Sequence, residues 1–274
     1  MGACPMPRKW SVAYDGPPSW LSARAERSLE DAPHYPTRAA FIGAAMGELL
    51  GGSLGLSVVQ AANVTANALN ESGNGRACGW NNPFGWKITR AYVESFKATH
   101  KDSDPPWWKA PGNIDSGDGA WCFYRSFESL GESLFEWVAH FVPPPGGEAP
   151  YPAYRRTGER FWAGDERWFG DLILVGYKGA ISKLRMQALR SVGASDEEHP
   201  SVRAHRSLTR TALTVWAQLA LDVDPDGAWG PKSSAACALW QRSRGLPASG
   251  DLDGVTLAAL ASISGTHTGH SPPA

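Results

Sequence analysis

Two short segments carry the residues best suited to chemistry, residues 70–75 (NESGNG) and residues 81–87 (NNPFGWK). Glu71 is a single carboxylate at the point where an apolar helical segment is predicted to stop. A carboxylate at the C-terminal end of a helix faces the negative end of the helix dipole, which disfavours its ionised form. Contact with Trp80 and the aromatic rings of the second segment would also remove water, and both effects raise the pKa of a carboxyl group. A general acid that protonates a leaving oxygen near neutral pH needs this environment, whereas a solvated loop carboxylate lacks it.

Two predicted helices position Glu71. Thr37 is expected to cap an Ala-rich helix that runs to about Leu50 and ends at the glycine pair that follows. The second helix is predicted over about residues 57–72, because apolar residues recur there at helical spacing. Gly73 supplies the stop of this helix.

Fewer regular elements are predicted in the middle of the chain, where Pro and Gly interrupt the pattern. The sequence predicts a short helix over 19–31, a loop-rich stretch over 74–119, a short strand over 121–125, and helices over 128–141, 157–162 and 168–189.

The C-terminal region has a motif pattern of its own over residues 215–260. It contains the run DGAWGP at 226–231, then Trp240-Gln241, Gly-Leu-Pro at 245–247 and Gly250. This pattern resembles the small three-helix peptidoglycan-binding module that is often appended to cell-wall hydrolases. The resemblance implies that the module holds its partner domain on the cell wall, which raises the local concentration of substrate.

An alternative for part of this module is a calcium-binding loop. Residues 222–227 fit the pattern D-x-D-x-D-G with which such loops begin. The twelfth position requires a bidentate Glu and is occupied here by Ser233, and Pro225 stiffens the loop. We therefore expect an Asp-Gly turn that connects the first two helices of the module, without calcium.

The segments around Glu71 resemble the glucosaminidase branch of the lysozyme superfamily, glycoside hydrolase family 73 and its relatives. The resemblance is carried by Glu-Ser-Gly at the end of a helix, by NNPFGWK, by FYRSFES at 123–129 and by Val-Gly-Tyr at 175–177. It spans about residues 37–189 and implies that Glu71 is the catalytic acid. It also implies substrate-binding roles for Asn81, Phe84, Gly85, Lys87, Tyr124 and Tyr177. Further candidates for stacking on sugar rings are Trp80, Trp86 and Trp121.

The second catalytic carboxylate is left open by the sequence. Its candidates are Glu94, Asp115 and Asp118, each of which is also compatible with a solvated loop position. An inverting enzyme would use such a group to activate water, and a retaining enzyme would use it as nucleophile. Participation of the substrate's N-acetyl group, or a lytic transglycosylase reaction, needs no second carboxylate. A glycan-binding fold in which Glu71 does no chemistry is the non-enzymatic alternative.

The predicted fold is mainly α, with a lysozyme-like α+β catalytic domain that contains a small β element, followed by the three-helix module. The polar stretch over residues 193–200 has the composition of a linker between domains. The predicted organisation is an N-terminal extension (1–36), a glycosidase domain (37–192), a linker (193–206), the peptidoglycan-binding module (207–264) and a disordered tail (265–274).

Charge and hydropathy exclude several classes of partner. The chain has 26 Lys+Arg and 27 Asp+Glu, so we expect neither nucleic acid nor an anionic membrane surface as partner. No apolar run is long enough to span a bilayer, and no secretory signal is visible. We expect a monomer that is made in the cytoplasm and acts on the wall after phage lysis or secretion.

The His and Cys residues do not follow the patterns of other cell-wall enzymes. The seven histidines do not follow the spacing of a zinc peptidase, and we expect no metal and no other cofactor. A Cys/His amidase would have to pair Cys122 with His140, but Cys122 falls in a predicted strand rather than at the start of a helix. Cys78 and Cys122 could pair in a disulfide.

Overall fold

The computed structural model describes residues 20–76, 78–101, 103–114, 121–147, 151–175, 177 and 200–264. These residues form nine α-helices and one two-stranded sheet. In chain order the elements are α1 (Arg38–Gly51), α2 (Val58–Glu71), α3 (Arg90–Thr99), β1 (Trp107–Ile114), β2 (Trp121–Arg125), α4 (Leu130–Phe141), α5 (Ala153–Trp162), α6 (Trp168–Leu174), α7 (Pro200–Ala220), α8 (Pro231–Ser243) and α9 (Gly254–Ser264). The prediction of a mainly α fold with a small β element and a helical C-terminal module is confirmed.

The chain divides into two compact units. The smaller unit comprises Met1–His34 and Ala77–Ser129, and the larger unit comprises Tyr35–Arg76 and Leu130–Ala274. Residues 20–34, which the sequence predicts to be part of an N-terminal extension, thus group with the segment that contains NNPFGWK. The C-terminal module groups with the helices that carry Glu71.

The first two helices of the larger unit begin at side-chain caps. The Thr37 hydroxyl oxygen accepts a hydrogen bond from the Ala40 amide at 3.0 Å. Ser57 and Gln60 form a reciprocal capping box at the start of α2, so two backbone donors at that end are satisfied. Both starts agree with the prediction from the sequence. The apolar faces of α1 and α2 are buried in the core of the unit.

Helix α7 begins at Pro200, inside the stretch 193–206 that was predicted to be a linker. Its early residues are mostly polar, which is why the composition resembles a linker, but one face of the helix is buried. His205 is 5% exposed, its Nε2 lies 3.1 Å from the Asn63 carbonyl oxygen of α2, and its ring stacks on Phe169. Thr209 donates to the Asn63 side chain one turn later. The packing of α7 along α2 therefore orders this segment as helix.

Two buried glutamines hold the turns of the C-terminal module. Gln218 accepts a hydrogen bond from the Gly227 amide at 2.9 Å and donates to the Ala228 carbonyl and the Asp226 carboxylate. Gln241 accepts from the Gly250 amide at 2.8 Å in the same way. Asp226 thus belongs to the turn between α7 and α8, as expected from the Asp-Gly dipeptide in the sequence.

The last two helices of the module begin at residues that favour helix starts. Pro231 occupies the first turn of α8, where its missing N–H costs no helical hydrogen bond. The Asp253 carboxylate accepts a hydrogen bond from the Thr256 amide at 2.7 Å and caps α9. The predicted tail, 265–274, lies outside the described residues.

In its described residues the smaller unit contains an antiparallel sheet and one α-helix. Strand β1 pairs with β2 in the register Trp108 to Tyr124, with an irregularity between Lys109 and Ile114. Helix α3 and strand β1 both fall in the stretch 74–119 that was predicted to be loop-rich. Pro111 and Gly112 suggested a break, but the irregularity in the register lets β1 run through them.

Candidate active site

The turn that follows α2 fixes the position of Glu71, the last residue of that helix. Gly73, Asn74 and Gly75 all have left-handed backbone conformations, with φ values of 58°, 68° and 84°. A β-carbon at residue 75 would lie 2.7 Å from the Phe41 ring, so only glycine fits. The buried Ser72 hydroxyl donates to the Ala68 carbonyl and accepts from the Gly75 amide. The segment NESGNG therefore ends α2 in a tight turn that its own hydrogen bonds stabilise.

The structure brings Glu71 together with Tyr177, another residue that the sequence singled out. The Tyr177 hydroxyl donates to the Oε1 atom of Glu71 at 3.5 Å. The side-chain amide of Asn70 reaches the same oxygen at 3.4 Å. Tyr177 and Glu71 are 106 positions apart in the sequence, and both belong to the larger unit. Two neutral donors thus converge on one oxygen of the carboxylate.

A buried polar shell holds the Tyr177 hydroxyl. Asn67 Nδ2 donates to it at 2.6 Å, and the Trp137 indole N–H donates to it at 3.2 Å. Both partners are completely buried. Burial raises the pKa of the Tyr177 hydroxyl well above its ordinary value, and the nearby charge of Glu71 acts in the same direction. The hydroxyl therefore keeps its proton at neutral pH and can donate it in the hydrogen bond to Glu71.

Glu71 itself is exposed. The sequence predicts that aromatic rings remove water from this residue, whereas in the structure its side chain is open to solvent. The position at the C-terminal end of α2 remains as predicted, so the negative end of the helix dipole faces the carboxylate. An exposed carboxyl group can reach a bound substrate directly, and a bound substrate, rather than the aromatic rings, would have to exclude water from it.

The two asparagines of NNPFGWK hold the backbone of the smaller unit. Asn81 is buried and donates to the Phe127 carbonyl at 3.2 Å. Asn82 is also buried; it accepts from the Trp86 amide at 2.8 Å and donates to the Trp86 and Arg125 carbonyls. Asn82 was not among the predicted site residues. An asparagine next to Pro and Gly is a known turn former, which was the available signal.

The backbone at the start of this segment is unusual. Trp80 and Asn81 both have left-handed conformations, with φ values of 50° and 59°. Non-glycine residues rarely adopt this conformation, and a bulky ring at such a position is a strained outlier. The Trp80 indole donates to the Ser28 carbonyl at 2.8 Å, and the Arg27 guanidinium lies 4.7 Å from its ring centre. These contacts hold the half-buried ring of Trp80 in place.

The remaining predicted residues of the smaller unit form one neighbourhood. The stretch around Lys87 pairs with β2 through an antiparallel bridge to Tyr124. Gly85 has a left-handed conformation, with φ of 63°, close to the Tyr124 ring. Lys87 is exposed, and Phe84 and Tyr124 are half-buried. The Arg125 guanidinium lies 5.2 Å from the Trp86 ring centre. The structure thus places these predicted residues side by side in the unit that does not contain Glu71.

The candidates for a second carboxylate have different positions. Glu94 is exposed on α3 and forms an ion pair with Arg90 one turn earlier, at 2.8 Å. Such a pair is typical of a solvated helix surface. Asp115, Asp118 and the side chain of Trp121 lie outside the described residues.

The alternative chemistries gain no support from the described residues. Cys78 is a buried free thiol, and burial raises its pKa to about 12, so it carries little thiolate at neutral pH. The His140 ring packs among Phe141, Tyr151 and Tyr154, while the side chain of Cys122 lies outside the described part. Within the described ranges no group of three His, Cys, Asp or Glu residues could hold a metal ion.

No helix in the part of the chain that the structure describes is both long and apolar enough to cross a membrane.

Comparison with known proteins identifies the C-terminal module. Residues 211–260 match the model of the peptidoglycan binding domain family. The chain therefore carries a peptidoglycan-binding domain, as its C-terminal motifs predicted, and peptidoglycan is its partner. No curated protein and no solved structure matches the chain. The glucosaminidase resemblance of residues 37–189 stays a prediction.

Proposed function

We propose that this protein is a cell-wall lytic enzyme that cleaves β-1,4 glycosidic bonds in the glycan strands of peptidoglycan. Glu71 is the general acid of the proposed reaction. The observation that carries the proposal is the Tyr177 hydroxyl hydrogen-bonded to Glu71, in a chain that binds peptidoglycan through its C-terminal domain. A peptidoglycan-binding domain is useful to an enzyme because it keeps the catalytic group close to a solid substrate.

In the proposed reaction Glu71 gives its proton to the glycosidic oxygen as the bond to the anomeric carbon breaks. The carboxylate that results accepts the hydrogen bond from the Tyr177 hydroxyl at Oε1. The oxygen of a water molecule, or of a hydroxyl on the same sugar in a transglycosylase, then bonds to the anomeric carbon, and its proton returns Glu71 to the acid form. The Asn67 and Trp137 donors hold that hydroxyl from the buried side. This arrangement orients the carboxyl group of Glu71, because the shell behind it is fixed by packing.

Replacement of Glu71 by Gln is the direct test. We expect the E71Q chain to stop clearing suspensions of purified peptidoglycan, followed by turbidity, while it still sediments with the same material. The matched control is Glu159→Gln, which removes an exposed carboxylate from α5 in the same unit. Clearing by E71Q at the wild-type rate would refute the assignment of Glu71.

The products distinguish the forms of the reaction. Mass spectrometry of digested peptidoglycan would show which of the two alternating sugars carries the new reducing end. An anhydro end would identify a lytic transglycosylase instead of a hydrolase. A wild-type chain that binds peptidoglycan and releases no fragment would leave only the binding function.

A further inference from the structure

A continuous group of aromatic rings leads away from Glu71 in the larger unit. This group, the aromatic shelf, consists of Tyr177, Phe141, Tyr154, His140 and Tyr151. The Tyr177 ring lies 4.8 Å from the Phe141 ring, centre to centre, and Phe141 lies 5.1 Å from Tyr154. Tyr154 lies 5.7 Å from Tyr151. The His140 ring contacts Phe141, Tyr151 and Tyr154.

The rings of the shelf become more exposed with distance from the core. Trp137, which lies behind Tyr177, is completely buried. Tyr177, Phe141, Tyr154 and His140 are half-buried. Tyr151 is 58% exposed. Rings that served only to pack the core would be buried like Trp137, so a surface of adjoining, partly exposed rings indicates a binding surface.

The backbone around the shelf is held in place. The Tyr154 amide donates to the Tyr151 carbonyl at 2.9 Å, which ties Tyr151 to the first turn of α5. A β-carbon at Gly158 would lie 2.3 Å from the Pro143 carbonyl oxygen, so α5 packs closely on the turn that follows α4. The Trp162 indole donates to the Val142 carbonyl at 2.8 Å. The rings are therefore presented by packed elements and lose little freedom on binding.

We propose that the aromatic shelf binds the glycan strand of peptidoglycan. Consecutive rings of the shelf meet edge to face, with interplanar angles of 78°, 70° and 86°, so pyranose rings of the strand pack against both exposed faces and exposed edges. The C–H face of a pyranose carries weak positive charge and packs on the negative face of an aromatic ring. The centre-to-centre distances between neighbouring rings, 4.8, 5.1 and 5.7 Å, are similar to the length of one sugar unit in a glycan strand. The shelf begins at the residue that contacts Glu71, so a strand on it passes the proposed acid. This inference rests on the proposed function, because it assigns sugar subsites to the same site.

The rest of the chain indicates which ligand binds to the aromatic shelf. The peptidoglycan-binding domain identifies the polymer that the protein meets. Of the two parts of that polymer, the glycan offers flat apolar faces in regular succession. The tyrosine hydroxyls at the edges of the shelf can donate to sugar hydroxyls; burial and the neighbouring Tyr151 raise the pKa of Tyr154, which keeps its proton in place.

Replacement of the outermost ring tests the shelf with little risk to folding, because Tyr151 is exposed. Binding of soluble β-1,4-linked N-acetylglucosamine oligomers would be measured by calorimetry in the full E71Q chain, which excludes turnover. We expect Tyr151→Ala to weaken the binding of a long oligomer about 5-fold to 10-fold, and to leave a disaccharide unaffected. Tyr151→Trp should restore the affinity. The control is Val59→Ala, which removes exposed apolar atoms from the first turn of α2, outside both the shelf and the peptidoglycan-binding domain, and should change nothing.

If Tyr151→Ala binds the long oligomer with wild-type affinity and unfolds at the wild-type temperature, the proposal that the shelf binds glycan is refuted. Absence of any oligomer binding by the E71Q chain would refute this proposal as well. Failure of the proposed function has a different signature, because the wild-type chain would then leave peptide-free glycan strands intact. The binding experiment needs no cleavage, so it tests glycan binding by the shelf independently of the proposed enzymatic activity.

Discussion

Removal of the Tyr177 hydroxyl should lower both the stability of the protein and the rate of wall clearing. In Tyr177→Phe the ring stays in place, and Asn67 Nδ2 and Trp137 Nε1 lose the acceptor that lies 2.6 Å and 3.2 Å away. Both groups are completely buried, and each buried donor without its partner costs about 1–3 kcal/mol. We therefore expect the free energy of unfolding to fall by about 2–6 kcal/mol.

The hydrogen bond to Glu71 contributes much less to stability. It is 3.5 Å long and ends on an exposed carboxylate, so its contribution to the free energy of unfolding is under about 1 kcal/mol. Urea unfolding of the wild type, Y177F, E71Q and the double variant measures this coupling as a double-mutant cycle. The stability loss of Y177F should persist in the E71Q background.

Activity provides the second measurement. At a temperature where Y177F is folded, we expect clearing to fall about tenfold, because the carboxyl group of Glu71 loses a fixed donor. Tyr35→Phe is the control, since the Tyr35 ring packs against Phe41 in the same unit. A stability loss below about 0.5 kcal/mol would refute the account of the buried shell. Wild-type clearing by folded Y177F would refute the positioning role of Tyr177.

Three further predictions concern the module, the pH dependence and the thiols. Gln241→Leu removes the acceptor of the Gly250 amide in a buried turn, so we expect a loss of about 2–4 kcal/mol in denaturant unfolding and weaker sedimentation with peptidoglycan. The backbone N–H of Thr256 lowers the pKa of Asp253 below its ordinary 3.8. The stability that this cap contributes is present above that value and is lost as the pH falls through the lower folded pKa, so melting temperatures between pH 5 and pH 2 should depend less on pH in Asp253→Asn. Cys78, with its pKa raised to about 12, should resist alkylation at pH 8 until the protein unfolds; rapid labelling of the folded chain, located by mass spectrometry, would contradict its burial.

The helices near Glu71 could be predicted because their signals are local. Thr37 and the Ser57–Gln60 box mark the helix starts, and the glycines at 73 and 75 mark the stop. Each of these signals acts through bonds to neighbours within a few positions. The same holds for Pro231 and Asp253 in the module. Local chemistry therefore sufficed for element types and starts in these regions.

The shell around Tyr177 could not be predicted, because it depends on packing between distant segments. Asn67 lies inside a helix, and nothing in its neighbourhood indicates that its amide meets a hydroxyl 110 positions later. Trp137 likewise reads as a core residue of α4. The sequence named Tyr177 only through a family resemblance, and the contact with Glu71 emerged from the arrangement of the helices. The missed strand β1 has a related cause, because its pairing partners on either side of the Pro-Gly segment come from other parts of the chain.

The packing of α7 changes the physical role of the peptidoglycan-binding domain. A flexible tether raises the local concentration of an enzyme but leaves its orientation free. Here the first half of α7 contacts α2 through His205 and Thr209, and its second half supplies Gln218 to the first turn of the module. The single helix α7 therefore packs against α2, the helix that ends at Glu71, and also forms part of the peptidoglycan-binding domain. Under the proposed function, binding to the wall would also set the direction from which Glu71 meets a strand. Fixed geometry gains affinity only where both sites can engage together, so the arrangement favours walls whose strands match that direction.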